Sequence, residues 1–188
     1  MNFVELYKSG VDGVEGLTSA QSIIISPDGR NAYAVGNADD ALVSFQRNIT
    51  DGTLTYMGMH KDGFAGVDGL DGAFEVIISP DGKHVYVSGM DDSAIAVFNR
   101  DAITGFLTFS EKIANGVNGI SGLHIVFGIA ISPDGKNLYA ASHLENKLVA
   151  FSRDAITGSS TFVDAMTDDV GGVDGLNGSF SVLSLIHI

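Results

Sequence analysis

The sequence predicts an all-β chain, a β-propeller of four-stranded antiparallel blades, and three observations carry that expectation. Ser-Pro-Asp-Gly occurs three times, each time after an isoleucine, and Ile25, Ile78 and Ile131 lie 53 residues apart. Each unit reads as short strands and turns without helical spacing, and a period near 50 residues of that kind fits propeller blades better than a helical solenoid. The 188 residues hold about 3.5 units, so the expected object is a partial ring, residues 1–183 forming one incomplete propeller.

Residues 1–12 keep phase with the following unit, Asn2 to Lys8 falling on Thr55 to Lys61. They are read as the last strand of a blade whose first three strands are absent. Residues 13–65, 66–118 and 119–171 make repeats one to three, and 172–183 open a fourth.

The second repeat is the cleanest. Ala73 to Ile78 is rich in β-formers and ends at Ser79-Pro80-Asp81-Gly82, a turn in which proline presets φ and glycine accepts the left-handed exit. We name this strand A. His84 to Ser88 gives strand B, Gly89 to Asp92 the connection, and Ala94 to Phe98 strand C. Arg100 to Gly105 then turns the chain into strand D, Phe106 to Ser110. Strands A to C are apolar at both alternating sets of positions, as expected between two neighbouring blades, so burial is expected to fall from A outward to D.

Phase is held throughout: Tyr33, Tyr86 and Tyr139 are equivalent, as are Arg47, Arg100 and Arg153, and Gly52, Gly105 and Gly158. Residues that recur in every blade are assigned to the architecture, since one site needs one copy. At the far end, phase predicts Ile-Ser-Pro-Asp-Gly near 184–188, but the chain reads Ser184-Leu185-Ile186-His187-Ile188. That ending is expected to be a non-native tail.

Composition narrows the partners. With 23 acidic against 10 basic side chains the formal charge is -13, which disfavours nucleic acid and anionic membrane surfaces. There is no cysteine, which excludes disulfides, thiolate metal sites and a thiol nucleophile. No apolar run approaches the roughly 20 residues that span a bilayer. Gly-x-Ser-x-Gly, His-Glu-x-x-His and a phosphate-binding loop are all missing. Asn48-Ile49-Thr50 matches a glycosylation sequon within a C-to-D hairpin, a frequent chance match.

In a propeller the D-to-A and B-to-C connections share one face, and Glu15, Asp68 and Asp174 fall at one position of three D-to-A loops. With glycine-rich carbonyls they are candidate ligands for a divalent cation such as calcium, although no calcium-loop pattern is present. Departures from the repeat mark an asymmetric site. His124 stands where the other units have Thr18, Asp71 and Asn177, and His143 lies in a B-to-C loop with Ala38 and Met90 near the corresponding positions. Glu75 replaces Ser22, Gly128 and Ser181 at the start of strand A and is expected to point into the channel. These three are the catalytic candidates, as base, donor or ligand. His60 and His84 occupy ordinary strand or rim positions and are read as structural.

Ile78-Ser79-Pro80-Asp81-Gly82-Lys83 with Tyr86, followed by Ala96-Val97-Phe98-Asn99-Arg100-Asp101 and Thr104-Gly105, resembles the lactonase-type seven-bladed β-propeller family. The resemblance covers nearly all of Met1 to Val182. It implies relatives such as 6-phosphogluconolactonase, carboxymuconate-lactonizing enzymes and uncharacterised bacterial surface or periplasmic proteins with tyrosine-rich, YVTN-like repeats. Enzymatic members tend to carry a histidine about four residues before the turn isoleucine, where this chain has Gln21, Phe74, Phe127 and Phe180. Two expectations follow. One is lactone hydrolysis at the loop face of the full ring, the fragment alone being inactive. The other is a noncatalytic propeller that binds a ligand, glycan or partner protein. The remaining blades of the same protein are the expected partner of the open faces, and a secreted or periplasmic location is expected.

Overall fold

The computed structural model describes residues 5–182. Among these, twelve strands form three separate four-stranded antiparallel sheets, each a meander in chain order. The first blade comprises β1 (Ala20–Ile25), β2 (Asn31–Gly36), β3 (Ala41–Arg47) and β4 (Leu54–Lys61). The second comprises β5 (Ala73–Ile78), β6 (His84–Gly89), β7 (Ala94–Arg100) and β8 (Leu107–Ala114). The third comprises β9 (Val126–Ile131), β10 (Asn137–Ser142), β11 (Lys147–Arg153) and β12 (Ser160–Thr167). These are three blades of the expected propeller.

The Ser-Pro-Asp-Gly turn holds itself together. The Ser26 hydroxyl donates to Asp28 at 2.6 Å and accepts the Asn31 amide at 3.0 Å, while Gly29 enters the left-handed region at φ 72. Ser79 and Asp81, and Ser132 and Asp134, repeat the arrangement.

Blades pack face to face. Tyr33, Val35 and Leu42 meet Val76, Val85, Val87 and Phe98 of the second blade, and Tyr86, Ile95 and Val97 meet Ile129, Leu138, Val149 and Phe151 of the third. Each seam is also bolted by a polar latch on the side of the A-to-B turns. Arg100 sends Nε to the Tyr33 hydroxyl at 2.8 Å, one terminal nitrogen to the Gly82 carbonyl at 3.0 Å, and the other to Asp28 at 2.8 Å and Asn31 at 2.7 Å. The Tyr33 hydroxyl donates onward to the Gly105 carbonyl at 2.7 Å. One repeat later Arg153, Tyr86, Gly158 and His84 build the second latch. A buried guanidinium needs such saturation, because each unpartnered donor would cost its desolvation.

Three expectations need correction. Strand D of the second blade runs Leu107–Ala114, because β8 pairs with β7 along its whole length through a bulge between Val97 and Phe98. Burial does not fall steadily from A to D: β2 and β6 are buried throughout, whereas β1 exposes Ile23 and Ile25. Strand A borders the channel, and among the described residues no sheet packs on the outward face of β1, so the middle strands lie deepest. Finally, residues 5–8 and 180–182 are not strands. Both segments still lie where the repeat places them. Tyr7 meets Phe45 at 5.2 Å just as His60 meets Phe98 at 5.2 Å, and Phe180 stacks on Phe127 at 4.2 Å. Among the described residues neither segment has a neighbouring strand to form a hydrogen-bonded ladder. The expected tail, 184–188, lies outside the described residues.

Candidate functional site

On the loop face, four carboxylates cap backbone amides. Asp39 accepts the Thr18 amide at 2.8 Å, Asp40 that of Gly72 at 3.0 Å, Asp62 that of Leu70 at 2.9 Å and Asp92 that of Asp71 at 3.1 Å. Burial would raise Asp39, but bonds from Thr18 and Ser9 hold its carboxyl below the usual range. The Asp39, Asp40 and Asp92 caps tie the first two D-to-A loops to B-to-C loops of their own or the preceding blade, so these loops share a face.

Glu15, Asp68 and Asp174 each sit exposed on a separate loop, and they do not form a cluster among the described residues. Asp68 instead groups with Asp62 and Asp92, one oxygen from each lying within 4.8 Å of the others. The Lys112 ammonium sits in this group, 2.7 Å from Asp68 and 3.7 Å from Asp92. It supplies there the positive charge that a cation would. Next to this group the Asp71 carboxyl is pushed up, by burial first and then by Asp40, Asp91, Asp92 and Asp62. The Lys112 pairing was hidden from sequence reasoning because its partners Asp68 and Asp92 come from two different connections.

The channel side gathers a different set. Phe74, Phe127 and Phe180 occupy one position of three successive A segments and converge, with ring centroids 4.7, 5.5 and 4.2 Å apart. His143 packs edge-on against this trio, 5.3 Å from Phe127 and 6.0 Å from Phe180. Its Nδ1 is buried without a hydrogen-bond partner among the described residues. Glu75 follows Phe74 and lines a pocket of about 180 Å³ with Gln21, Ser22, Phe74, Phe180 and Ser181. Burial raises its carboxyl above the ordinary glutamate value, against the opposing pull of the Ile129 amide, which donates to Oε2 at 2.7 Å. Glu75 therefore points across to the third blade, as Ser22 does more weakly to Val76 at 3.4 Å.

His124 is exposed on the same face. Its amide donates to the Ser142 hydroxyl at 3.0 Å, and that hydroxyl donates back to its carbonyl at 2.8 Å. Ser142 replaces Gly36 and Gly89, where a side chain would strike the Gly16 or Gly69 carbonyl at 2.1 or 2.3 Å. The third blade thus has a reshaped loop, and Ser142 was the signal that sequence reasoning missed. His60 and His84 lie within blade seams, against Phe98 and Arg153.

Of the candidates, Glu75 and His143 are brought to one aromatic cluster at the channel, and His124 stands apart on the rim. A carboxylate with a raised pKa that shares a pocket with Phe74 and Phe180, and a histidine packed against Phe127 and Phe180, are groups of the kinds that activate water and donate to an oxyanion.

Residues 20–119 match the family described as lactonase, 7-bladed beta-propeller. The Arthroderma benhamiae protein named "Probable 6-phosphogluconolactonase" is 34% identical over 140 residues, which is 69% of this chain and 33% of that protein. The Pseudomonas aeruginosa periplasmic gluconolactonase structure superposes with a TM-score of 0.67 at 27% identity, over 79% of this chain and 39% of its own. A candidate 6-phosphogluconolactonase of Bacteroides fragilis superposes with a TM-score of 0.68 at 25% identity, over 81% and 40%. The chain spans about a third of the length of the curated relative and about two fifths of these solved chains. With its blade repeat, its seams and the match over 20–119, the chain belongs to the lactonase family of seven-bladed β-propellers.

Proposed function

We propose that the protein carrying these blades opens lactones by hydrolysis at the channel mouth on the loop face. Family membership supports the reaction class. The observation that carries the location is the convergence of Glu75 and His143 on the Phe74, Phe127 and Phe180 cluster.

In this reading Glu75 takes a proton from water as the water oxygen bonds to the ring carbonyl carbon. His143 donates to the oxyanion that develops, the ring carbon–oxygen bond breaks, and the proton returns to the alkoxide. The substrate is a neutral lactone and the product a hydroxy acid anion, which the surrounding carboxylates repel and so help to release. The same field disfavours a phosphorylated substrate relative to an unphosphorylated sugar lactone. A secreted or periplasmic location belongs to this proposal, supported by likeness to the periplasmic Pseudomonas aeruginosa protein and tested by cell fractionation.

The test is proton release from glucono-δ-lactone by the ring that carries these blades. Glu75→Gln and His143→Phe are each expected to lower kcat about a hundredfold with little change in KM, and His124→Ala to leave both unchanged. Turnover unaffected by the first two variants overturns the assignment to this cluster, whereas no turnover by the wild-type ring leaves a noncatalytic binding propeller. Within the 188-residue chain, the His143 imidazole signals should shift on adding the lactone.

A further inference from the structure

The two seams use the same latch with one difference. Where the first seam places Asn31 Oδ1 at 2.7 Å from the Arg100 guanidinium, the second places His84 Nδ1 at 2.6 Å from that of Arg153. His84 is buried, and Gly158 leaves no room for it to swing, since a Cβ there would lie 2.2 Å from its ring. Arg153 is a permanent donor, so Nδ1 must be the acceptor and the ring must be neutral. Adding a proton to Nδ1 sets two donors and two positive charges against each other in a buried seam.

The groups facing His84 reinforce this. Arg153 approaches from the end of β11 and Lys83 precedes it on the chain, both disfavouring the proton, while a hydrogen bond with the Ile156 backbone in the turn after β11 favours it more weakly. Tyr86, on the same strand, is engaged with Arg153 at 2.7 Å and Gly158 at 2.6 Å. Asp81 is the one acidic group that favours the proton, but it accepts from the Ser79 hydroxyl at 2.5 Å and the Lys83 amide at 3.1 Å and stands 3.5 Å from Arg153.

We infer that the seam between the second and third blades is an acid-sensitive latch that opens when His84 is protonated, whereas the Asn31 seam does not respond. Burial and then Arg153 lower the His84 pKa, so the folded ring titrates below the ordinary value near 6.5. The stability it contributes is intact above about pH 6.5 and is lost as pH falls from there towards the folded value.

Urea unfolding of the 188-residue chain at pH 7.5 and 5.0 tests this. The wild type should lose more in its folding constant than His84→Asn, by about eightfold if folded His84 titrates one unit low and by about thirtyfold at most, the ceiling that pH 5.0 sets. Asn31→His should add a second acid-dependent loss. An NMR titration of His84 in the wild type needs no variant to fold, and its midpoint should lie below 6.5. A midpoint at or above that value, or an identical pH dependence in His84→Asn, overturns the inference.

Discussion

Replacing Tyr86 by Phe removes one oxygen atom from the second seam, and its cost can be worked from the latch geometry. The hydroxyl donates to the Gly158 carbonyl at 2.6 Å and accepts from Arg153 Nε at 2.7 Å, and the residue is fully buried. Burial, only partly offset by Arg153, pushes its pKa up to about 12, so the group remains a neutral donor throughout the working range. Phenylalanine keeps the ring packing and leaves a buried carbonyl and a buried guanidinium N–H without partners. Each such orphan costs about 1–3 kcal/mol, so the expected loss is about 3 kcal/mol. Against a total of about 5–15 kcal/mol that is a large fraction. With a urea slope of about 2 kcal/mol/M, the midpoint should fall by about 1.5 M. Tyr139 is the internal control: it is partly exposed, and no arginine or glycine carbonyl meets its hydroxyl among the described residues. Tyr139→Phe should therefore cost about 0.5 kcal/mol or less. Urea titrations followed by circular dichroism measure both, and equal costs for the two variants would refute the latch.

Three further outcomes follow from the same geometry. Gly158→Ala should destabilise by about 1–3 kcal/mol more than Gly52→Ala, since both have φ near +80 but only at 158 does a Cβ strike a neighbour, His84, at 2.2 Å; equal thermal shifts would contradict the tight seam. Glu75 has a raised folded pKa, so its contribution is fully present below the ordinary value near 4.5 and is lost as pH rises through the folded one. Glu75→Gln should accordingly flatten the fall in stability from pH 4 to 7, and an unchanged profile would place the carboxylate in solvent. Because the Lys112 ammonium already occupies the Asp62, Asp68 and Asp92 group, calcium should leave the wild-type melting midpoint in place but raise that of Lys112→Ala, and a wild-type shift would show that a cation displaces the ammonium.

The blade boundaries were legible in the chain because they depend on local chemistry. Ser79-Pro80-Asp81-Gly82 closes its own turn with bonds no longer than five residues, so its recurrence marks each A-to-B hairpin whatever surrounds it. The conserved phase of Tyr33 and Tyr86 with Arg100 and Arg153 was visible too, but not its meaning. The partners stand 67 residues apart on different blades, and only the stacking of one sheet against the next brings a hydroxyl to a guanidinium.

The same distinction governs the candidate site. Sequence departures singled out Glu75, His124 and His143, since an asymmetric residue in a symmetric repeat stands out by subtraction. Their fates were decided by the curvature of the ring, which draws the A segments of successive blades together and so collects Phe74, Phe127 and Phe180 around His143 while leaving His124 on the rim. Acidic composition likewise predicted a negative face, yet whether each carboxylate is a ligand, a cap or an ion-pair partner depends on which amide or ammonium the fold brings within about 3 Å. Strands and turns follow from neighbours along the chain, so the sequence by itself determined them. The latches, the capped rim and the aromatic channel mouth join residues distant in sequence, and those only the tertiary structure decided.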